Sequence, residues 1–344
     1  MRRALFSLVI VMTCVFAAGD RPGATYLLIP PTAKATAMAY AWTAICNDAS
    51  ANYYNAAGLA SLETPAICAT YFECLPGLQN DMHYVYAAMG IPGTGYATGL
   101  DVTYFTLGEI EVVNEMGQYL GSYLVWRLVL KLNHSRKIFH NLSCGVGLKW
   151  ILQVHDVGWG WAHPCIWYPG YNDGTGYAWA LDFNAQYKPL PSLSIGSILH
   201  NVGPDIRYTG DSYDPTPFVQ SAPLPLTYRL GVAFTPTDNK YYKIAFSAEI
   251  TKVLVGVFAD EEKSLLEQLD YELYEAWKGI GLEFTFFKIL SLRGGHFWDV
   301  EGERRGFTYG GGVKINKFEL DIGIDEHVFD FPTTNRKVSL SYSF

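Results

Sequence analysis

The 344-residue sequence is apolar and aromatic, with 49% hydrophobic and 15% aromatic residues, 33 glycines and 24 tyrosines. Its 33 acidic and 25 basic residues give a net charge of −8, which argues against nucleic-acid binding. Beyond an N-terminal apolar run, no stretch approaches the roughly 20 apolar residues that a membrane-spanning helix needs. The composition therefore suits a membrane β-barrel or a large secreted β-sandwich and excludes a helical membrane protein.

The N-terminus has the three parts of a secretory signal. Two arginines precede an apolar run over residues 4–16, and small residues follow at 17–19. The run is too short to span a membrane as a helix. We expect residues 1–17 to be a signal peptide and the mature chain to be exported. A lipoprotein signal through Cys14 is the weaker alternative, because Thr13 precedes that cysteine and the apolar run continues past it.

Motifs of enzymes and of metal sites are missing from the sequence. Five cysteines remain after cleavage, an odd number without a CxxC pair, so neither a disulfide framework nor a structural metal is expected. His155, Asp156 and His163 have no companion residues at ligand spacing. There is no Gly-x-Ser-x-Gly elbow and no phosphate loop. We predict that the protein is not an enzyme and that it has no cofactor.

From about residue 66 onward, segments of about ten residues alternate with period two, as the strands of a membrane barrel do. In the last segment, Val338, Leu340, Tyr342 and Phe344 alternate with lysine and serine. The opposite faces hold mostly glycine, serine, threonine and asparagine, whereas a soluble sandwich exposes lysine and glutamate there. The apolar face is therefore predicted to contact lipid, and closure would leave no unpaired strand edge in the membrane.

The pattern predicts an all-β fold, a 14-stranded antiparallel transmembrane β-barrel over residues 66–344. The segments are 66–74, 80–89, 95–105, 122–133, 141–152, 175–188, 192–200, 225–235, 241–252, 277–287, 289–297, 306–314, 317–325 and 336–344. The odd-to-even connections are mostly long: 106–121, 153–174, 201–224, 253–276, 298–305 and 326–335. Bacterial barrels place short turns in the periplasm and long loops outside, so both termini are predicted to face the periplasm. The final aromatic residue resembles the signal through which such barrels are assembled.

The segment before the strands does not alternate. Residues 33–45 are rich in alanine, a pattern compatible with a helix whose small side chains allow close packing. We predict that residues 18–65 form an N-terminal helical plug inside the barrel. Its candidate functional residues are Asn47, Asp48, Asn55 and Gly58.

Three motifs in this segment carry a family resemblance. They are Tyr-Leu-Leu-Ile-Pro at 26–30, Asn-Asp-Ala-Ser-Ala at 47–51 and Tyr-Asn-Ala-Ala-Gly-Leu-Ala at 54–60. They resemble the start of the PorV/PorQ family, and the likeness continues through 142–150, 201–204, 225–232 and 338–344. The resemblance implies a bacterial outer-membrane protein of FadL-like architecture, with fourteen strands and an N-terminal segment in the lumen. The family usually has proline where this chain has Ala56, which relaxes one tight backbone position.

The resemblance also implies a role in surface delivery. Members of the family hold secreted cargo of the type IX secretion system at the outer membrane by its C-terminal domain and pass it to the attachment machinery. The partners implied are outer-membrane lipid, secreted cargo proteins and the secretion machinery. The alternative is a FadL-like transporter of hydrophobic small molecules, with residues 25–62 as its hatch. A passive structural barrel is a third possibility.

On this reading of the resemblance, the loops 153–174, 201–224 and 253–276 would form the cargo-facing surface, and two of them hold candidate residues. Trp159, Trp161 and Trp167 lie in an aromatic-rich loop, where an interfacial girdle is favoured over a recognition surface. In the loop 253–276, leucines recur at helical spacing among acidic residues, and Ser264 with Glu267 predicts a capping box. A solvated acidic face is favoured there, and the alternatives are partner docking or divalent-cation bridging of surface polysaccharide. The candidate residues of this loop are Glu262, Leu265 and Leu269.

Charged residues on the inward faces are the last group of candidates. They are Asp101, Lys149, Asp182, Arg229, Glu249, Glu283, Arg293 and Asp321. They could line a permeation path. Pairing with each other and with the plug is the favoured interpretation, because buried charges persist when they are paired.

Overall fold

The computed structural model describes residues 22–76, 81–114, 116–156, 172–211, 218–257, 264–300, 302–326 and 334–344. The predicted signal peptide, the first residues of the predicted plug segment, Trp159, Trp161, Trp167 and Glu262 lie outside these residues. So does His163, one of the residues considered for a metal site.

Among these described residues, sixteen strands form one antiparallel sheet, and fourteen of the sixteen close into a barrel. The sixteen strands are β1 Ala66–Glu73, β2 His83–Gly93, β3 Tyr96–Val113, β4 Tyr119–Phe139, β5 Leu142–Asp156, β6 Asn172–Leu190, β7 Leu193–Val202, β8 Ile206–Asp211, β9 Phe218–Ala222, β10 Thr227–Asp238, β11 Tyr242–Val253, β12 Trp277–Phe286, β13 Leu290–Asp299, β14 Arg304–Ile315, β15 Phe318–Asp325 and β16 Asn335–Ser343. Barrel neighbours follow the chain order, β7 pairs with β10, and β16 closes the barrel on β1. The predicted fold class is confirmed.

The two faces of the wall differ as the alternation predicts. Leu320, Ile322, Val338 and Leu340 point outward and are 44–50% exposed. Inward positions on the same strands are nearly inaccessible, such as Asp321 at 0%. A continuous outward band of exposed aliphatic and aromatic side chains is stable when lipid covers it.

The barrel has two unlike ends. At the turn end, adjacent strands are joined by tight connections such as that between β14 and β15. At the loop end lie the longer connections, among them 254–276, which contains helix α3, Leu265–Glu275.

Two parts of the loop end are more ordered than the sequence predicts. The predicted loop 106–121 is mostly strand, because β3 and β4 continue pairing as far as Val113 and Tyr119. The predicted loop 201–224 contains the hairpin β8–β9. Strand β8 follows β7 and pairs with the same neighbour, β6, farther toward the loop end.

The N-terminal segment contains short helical turns instead of one long helix. They are a 3-10 turn at Thr25–Leu28, α1 Ala33–Ala37, α2 Ala51–Tyr54 and a 3-10 turn at Ala56–Ser61. Helix α1 ends where Ala39 and Tyr40 adopt left-handed backbone conformations, with φ of 51° and 66°. Contacts with the wall, described below, override the helical preference of the alanines. Among the described residues, no helix is long and apolar enough to cross a membrane.

Candidate functional site

Inward-facing glycines let the backbone of residues 22–62, here called the plug, approach the wall. A Cβ atom at Gly279 would lie 2.1 Å from the Ala39 carbonyl oxygen, and one at Gly323 would lie 2.2 Å from the Ala33 carbonyl oxygen. Comparable contacts occur on β3, β5, β7 and β10, at Gly99, Gly145, Gly196 and Gly231. The plug therefore touches the wall on many sides of the bore, at distances that a larger residue would not permit.

Side chains of the wall accept hydrogen bonds from plug N–H groups. The Ala33 N–H donates to Ser339 Oγ at 2.9 Å, and the Ala39 N–H donates to Thr308 Oγ1 at 3.0 Å. On another strand, β11, the Thr43 N–H donates to the Glu249 carboxylate at 2.9 Å. Short helical turns leave such donors without partners of their own. The wall thus satisfies the buried backbone of the plug.

Lys34 links the plug to the wall through buried ion pairs. Its Nζ atom lies 2.9 Å from Asp48 in the plug, 2.9 Å from Glu319 and 3.7 Å from Asp321 on β15. Burial works against ionisation of Asp48, but the Lys34 ammonium and hydrogen bonds from Ser50 outweigh it and lower the pKa of Asp48 to about 2. Both members of the Lys34–Asp48 pair are therefore charged at neutral pH.

The same ion pairs continue into the wall. Arg293 lies 2.6 Å from Asp321 and 2.6 Å from Glu283, and Lys243 lies 2.8 Å from Glu283. The resulting charge cluster consists of Lys34, Asp48, Lys243, Glu283, Arg293, Glu319 and Asp321. Its three cations nearly balance its four carboxylates, which is what makes so many buried charges tolerable.

A second group of charges surrounds Asp182 on β6. The carboxylate lies 2.8 Å from Lys131, 3.0 Å from Lys149 and 3.0 Å from His200 Nδ1. It also accepts a hydrogen bond from the Asn201 N–H at 2.9 Å. Asn201 has φ of 61°, and the β6–β7 register shifts beside it. Asp182 thus holds an irregular point of the wall in place.

All eight predicted lumen-lining residues are buried, and five of them belong to these two groups. Glu283, Arg293 and Asp321 belong to the charge cluster, and Lys149 and Asp182 belong to the second group. The other three have separate partners. Asp101 accepts a hydrogen bond from the Asn133 side-chain amide at 3.3 Å. The Arg229 guanidinium lies 5.5 Å from the Tyr53 ring centre, and the Glu249 carboxylate binds the plug backbone. Five further residues of these groups were not predicted from the sequence: Lys34, Lys131, Lys243, His200 and Glu319. These five residues could have been recognised in the sequence, because each is a charged or polar residue within an otherwise small or apolar pattern.

The four predicted plug residues have different surroundings. Asp48 pairs with Lys34, whereas Asn47 is exposed. The Asn55 amide donates to the Ala185 carbonyl of β6 at 3.0 Å. Gly58 lies so close to another plug turn that a Cβ there would be 2.3 Å from the Cys46 carbonyl oxygen.

Helix α3 presents leucines to the surroundings. Leu265 is 77% exposed and Leu269 is 45% exposed. The opposite side is polar, since Glu275 lies 3.2 Å from Lys252 at the end of β11 and Gln268 is buried. The predicted capping box between Ser264 and Glu267 is confirmed. The helix is thus anchored by its polar side, and its apolar side is uncovered.

A cavity of about 990 Å³ lies at the loop end, bounded on one side by the plug. We call it the vestibule. Its apolar lining includes Tyr26, Phe72, Phe105, Leu107, Trp277 and Phe297. Basic groups stand against these rings: the Arg304 guanidinium is 4.8 Å from the Phe297 ring centre, and Lys337 Nζ is 4.6 Å from that of Phe72. Such a cavity suits a ligand that is mainly apolar.

Within the part of the chain that the structure describes, no three histidine, cysteine or acidic residues are grouped as metal ligands. The described cysteines, Cys46, Cys68, Cys74 and Cys144, are all free thiols.

Solved structures share this architecture. The toluene transporter TodX of P. putida aligns with a TM-score of 0.57 and 12% identity, covering 91% of this chain and 98% of that one. The monoaromatic hydrocarbon channel CymD aligns with a TM-score of 0.58 and 13% identity, covering 92% and 98%. A Pseudomonas aeruginosa FadL homologue aligns with a TM-score of 0.52 and 13% identity, covering 92% and 99%. At these identities the likeness establishes the fold.

Sequence comparison identifies the family. No curated protein matches the chain significantly. The family described as type IX secretion system protein PorV matches residues 21–260, which is more than half of the sequence. Together with the fold, this match assigns the chain to the outer membrane and to a group of non-enzymatic barrels. The chain belongs to the PorV family of type IX secretion system proteins.

Proposed function

We propose that this outer-membrane barrel binds secreted proteins at the cell surface and delivers them to the attachment machinery, with the loop end as the binding surface. The observation that carries the proposal is the contrast between the two ends of the bore. The plug is bonded to several strands by its backbone and by the charge cluster. The vestibule and the exposed side of α3 lie at the loop end.

The charge cluster supports a role that leaves the plug in place. Withdrawing the plug would separate Lys34 from Glu319 and Asp321. Breaking buried ion pairs in this way costs several kcal/mol, since it leaves uncompensated charge in the bore. A partner that binds at the loop end meets no such cost.

Helix α3 supports the choice of surface. Its exposed leucines form an apolar strip beside acidic side chains, and exposed apolar strips of this kind commonly mark protein contacts. The predicted partner residues Leu265 and Leu269 lie on this strip. We include Glu262, Trp159, Trp161 and Trp167 in the proposed surface on sequence grounds alone.

Retention of secreted proteins on cells tests the proposal. A strain that lacks its own copy is complemented with the wild-type chain, with Leu265→Ser/Leu269→Ser, or with Ile289→Ser. Ile289 is a matched control, because it is an exposed apolar residue in a connection at the turn end. We expect the double variant to release secreted proteins into the medium, while Ile289→Ser retains them. Equal retention by all three chains would contradict the proposed surface.

A second candidate function is transport of hydrophobic small molecules. The aromatic and aliphatic lining of the vestibule favours it. Uptake of a radiolabelled apolar compound by cells with and without the barrel tests this candidate. Uptake that depends on the barrel and is abolished by polar substitutions at Phe105 and Phe297 would support transport. Equal uptake with and without the barrel would exclude it.

A further inference from the structure

The outward face of the barrel carries a groove near the turn end. The groove holds about 660 Å³ and crosses β1, β2, β3, β15 and β16, where the barrel closes. Its exposed side chains are apolar: Ile67, Met89, Leu100, Phe318, Leu340 and Phe344. Because the outward face of the barrel contacts the membrane, this groove opens to lipid and not to water.

Two small side chains give the groove its depth. Ala69 on β1 and Ala87 on β2 are direct cross-strand partners. Larger residues flank this pair on both sides, Leu340 on β16 and Val102 on β3. A recess between larger side chains surrounds an apolar chain on several sides, so the chain makes more van der Waals contacts there than on a smooth wall. The groove therefore favours an inserted acyl chain.

Aromatic rings border the groove toward the turn end. The Tyr342 ring lies between Phe318 and Phe344, with ring centres 4.7 and 4.9 Å away. Aromatic side chains commonly stand at the boundary between lipid tails and headgroups. From Leu340 to Phe344 the groove is roughly 13 Å long, which is most of the roughly 15 Å depth of one leaflet. Its length thus suits an acyl chain whose headgroup lies at the turn end.

The turn end places positive charge at the mouth of the groove. Lys317 is exposed and directly precedes Phe318, and its carbonyl accepts a hydrogen bond from the Ser343 N–H at 3.0 Å. The nearby Glu319 turns its carboxylate into the bore, toward Lys34. The exposed charged residues of the turn end are mostly basic, since Glu63 and Asp238 stand against Arg136, Lys137, Lys188, Lys240, Lys288, Lys314 and Lys317. This excess favours a lipid with a net negative charge.

We propose that the groove binds an anionic phospholipid of the periplasmic leaflet, with one acyl chain over Ala69 and Ala87 and the phosphate against the Lys317 ammonium. The lipid covers the seam at which β16 closes the barrel on β1. The groove lies on the outer wall at the turn end, whereas the vestibule and α3 lie at the loop end. Lipid binding there is therefore independent of the delivery of secreted proteins proposed above.

Photo-crosslinking in vesicles locates the lipid. The full chain is reconstituted in phosphatidylethanolamine with a small amount of phosphatidylglycerol or of phosphatidylcholine, each carrying the same diazirine-bearing acyl chain. Peptide mass spectrometry gives the ratio of labelling in the groove to labelling on the outward face of β13. We expect this ratio to be about fivefold higher with phosphatidylglycerol, the preference that one lysine near an anionic lipid provides. Equal ratios for the two lipids in the wild-type chain would overturn the proposed site.

Variants assign the effect to the groove and to the lysine. Ala69→Phe fills the groove and should abolish the preference, whereas Ala248→Phe should keep it, because Ala248 is an exposed alanine of β11 outside the groove lining. Lys317→Gln should also abolish the preference. Arg305→Gln should keep it, because Arg305 is an exposed arginine at the loop end of β14. A preference that survives both Ala69→Phe and Lys317→Gln would contradict the proposed contacts.

A second copy of the chain is the rival occupant of the groove. The mass of the protein in lipid nanodiscs distinguishes the two cases. A bound lipid leaves the barrel monomeric in the wild-type chain and in Ala69→Phe. A dimer that Ala69→Phe separates and Ala248→Phe does not would overturn the choice of a lipid.

Discussion

Replacing Lys34 by methionine should release the plug while leaving the barrel folded. The ammonium lies within 4 Å of Asp48, Glu319 and Asp321 and is only 8% exposed, so its removal leaves buried carboxylates without their cation. Breaking a buried ion pair by removing one partner costs about 3–5 kcal/mol. Taking the lower figure, the population of chains with an undocked plug should rise by roughly a hundredfold.

Cys46 reports the undocked state, because this plug thiol is 0% exposed in the closed structure. The assay uses a chain whose other cysteines are replaced by serine, and it measures the rate at which a thiol reagent labels Cys46 in detergent. We expect Lys34→Met to accelerate labelling roughly a hundredfold, while the exposed control Lys240→Met labels at the parental rate. Unchanged labelling in a Lys34→Met chain that retains the heat-modifiable mobility of a folded barrel would refute the reasoning.

Three further predictions concern pH, packing and α3. The pKa of Asp48 is lowered to about 2 from an ordinary value near 3.9, so its contribution to plug docking is complete above about pH 4 and is lost as the pH falls toward 2. The rate at which dithiodipyridine labels Cys46, divided by the rate for the denatured chain at the same pH, should therefore rise as the pH falls through that interval and stay flat above it. Gly279→Ala should raise the rate of Cys46 labelling, because the added Cβ would collide with a plug carbonyl. Gly294→Ala should leave the rate unchanged, because a Cβ at Gly294 has room, and equal effects of the two variants would contradict the packing account. Ser264→Ala should cost α3 about 1 kcal/mol and speed its hydrogen exchange, with no change in the Tm of the barrel.

The strands could be predicted closely because one physical rule governs them. Every barrel strand must turn an apolar side chain to lipid at every second position. Leu320, Ile322 and Leu340 are exposed outward residues of this kind. The rule ends where the wall leaves the membrane. Two segments were therefore predicted as loops although they form strands. They are the extension of β3 and β4 toward Val113, and the hairpin β8–β9.

The plug and the charge cluster were harder to predict because their structure depends on distant residues. Alanines 33–45 have a helical preference, yet Ala39 turns away to bond with Thr308, which is 269 residues distant. Alternation identified Asp182 and Asp321 as inward-facing. Alternation could not show that Asp182 would pair with Lys131 on another strand. Nor could it show that Asp321 would pair with Lys34 in the plug.

Ion conductance across a planar bilayer tests most directly whether the plug closes the bore, on which the docking role depends. The full mature chain is compared with one that lacks residues 22–62. We expect no stable conductance steps from the full chain and large steps from the truncated one, because the plug contacts glycines on many sides of the wall. Steady conductance of the full chain, equal to that of the truncated barrel, would contradict the account.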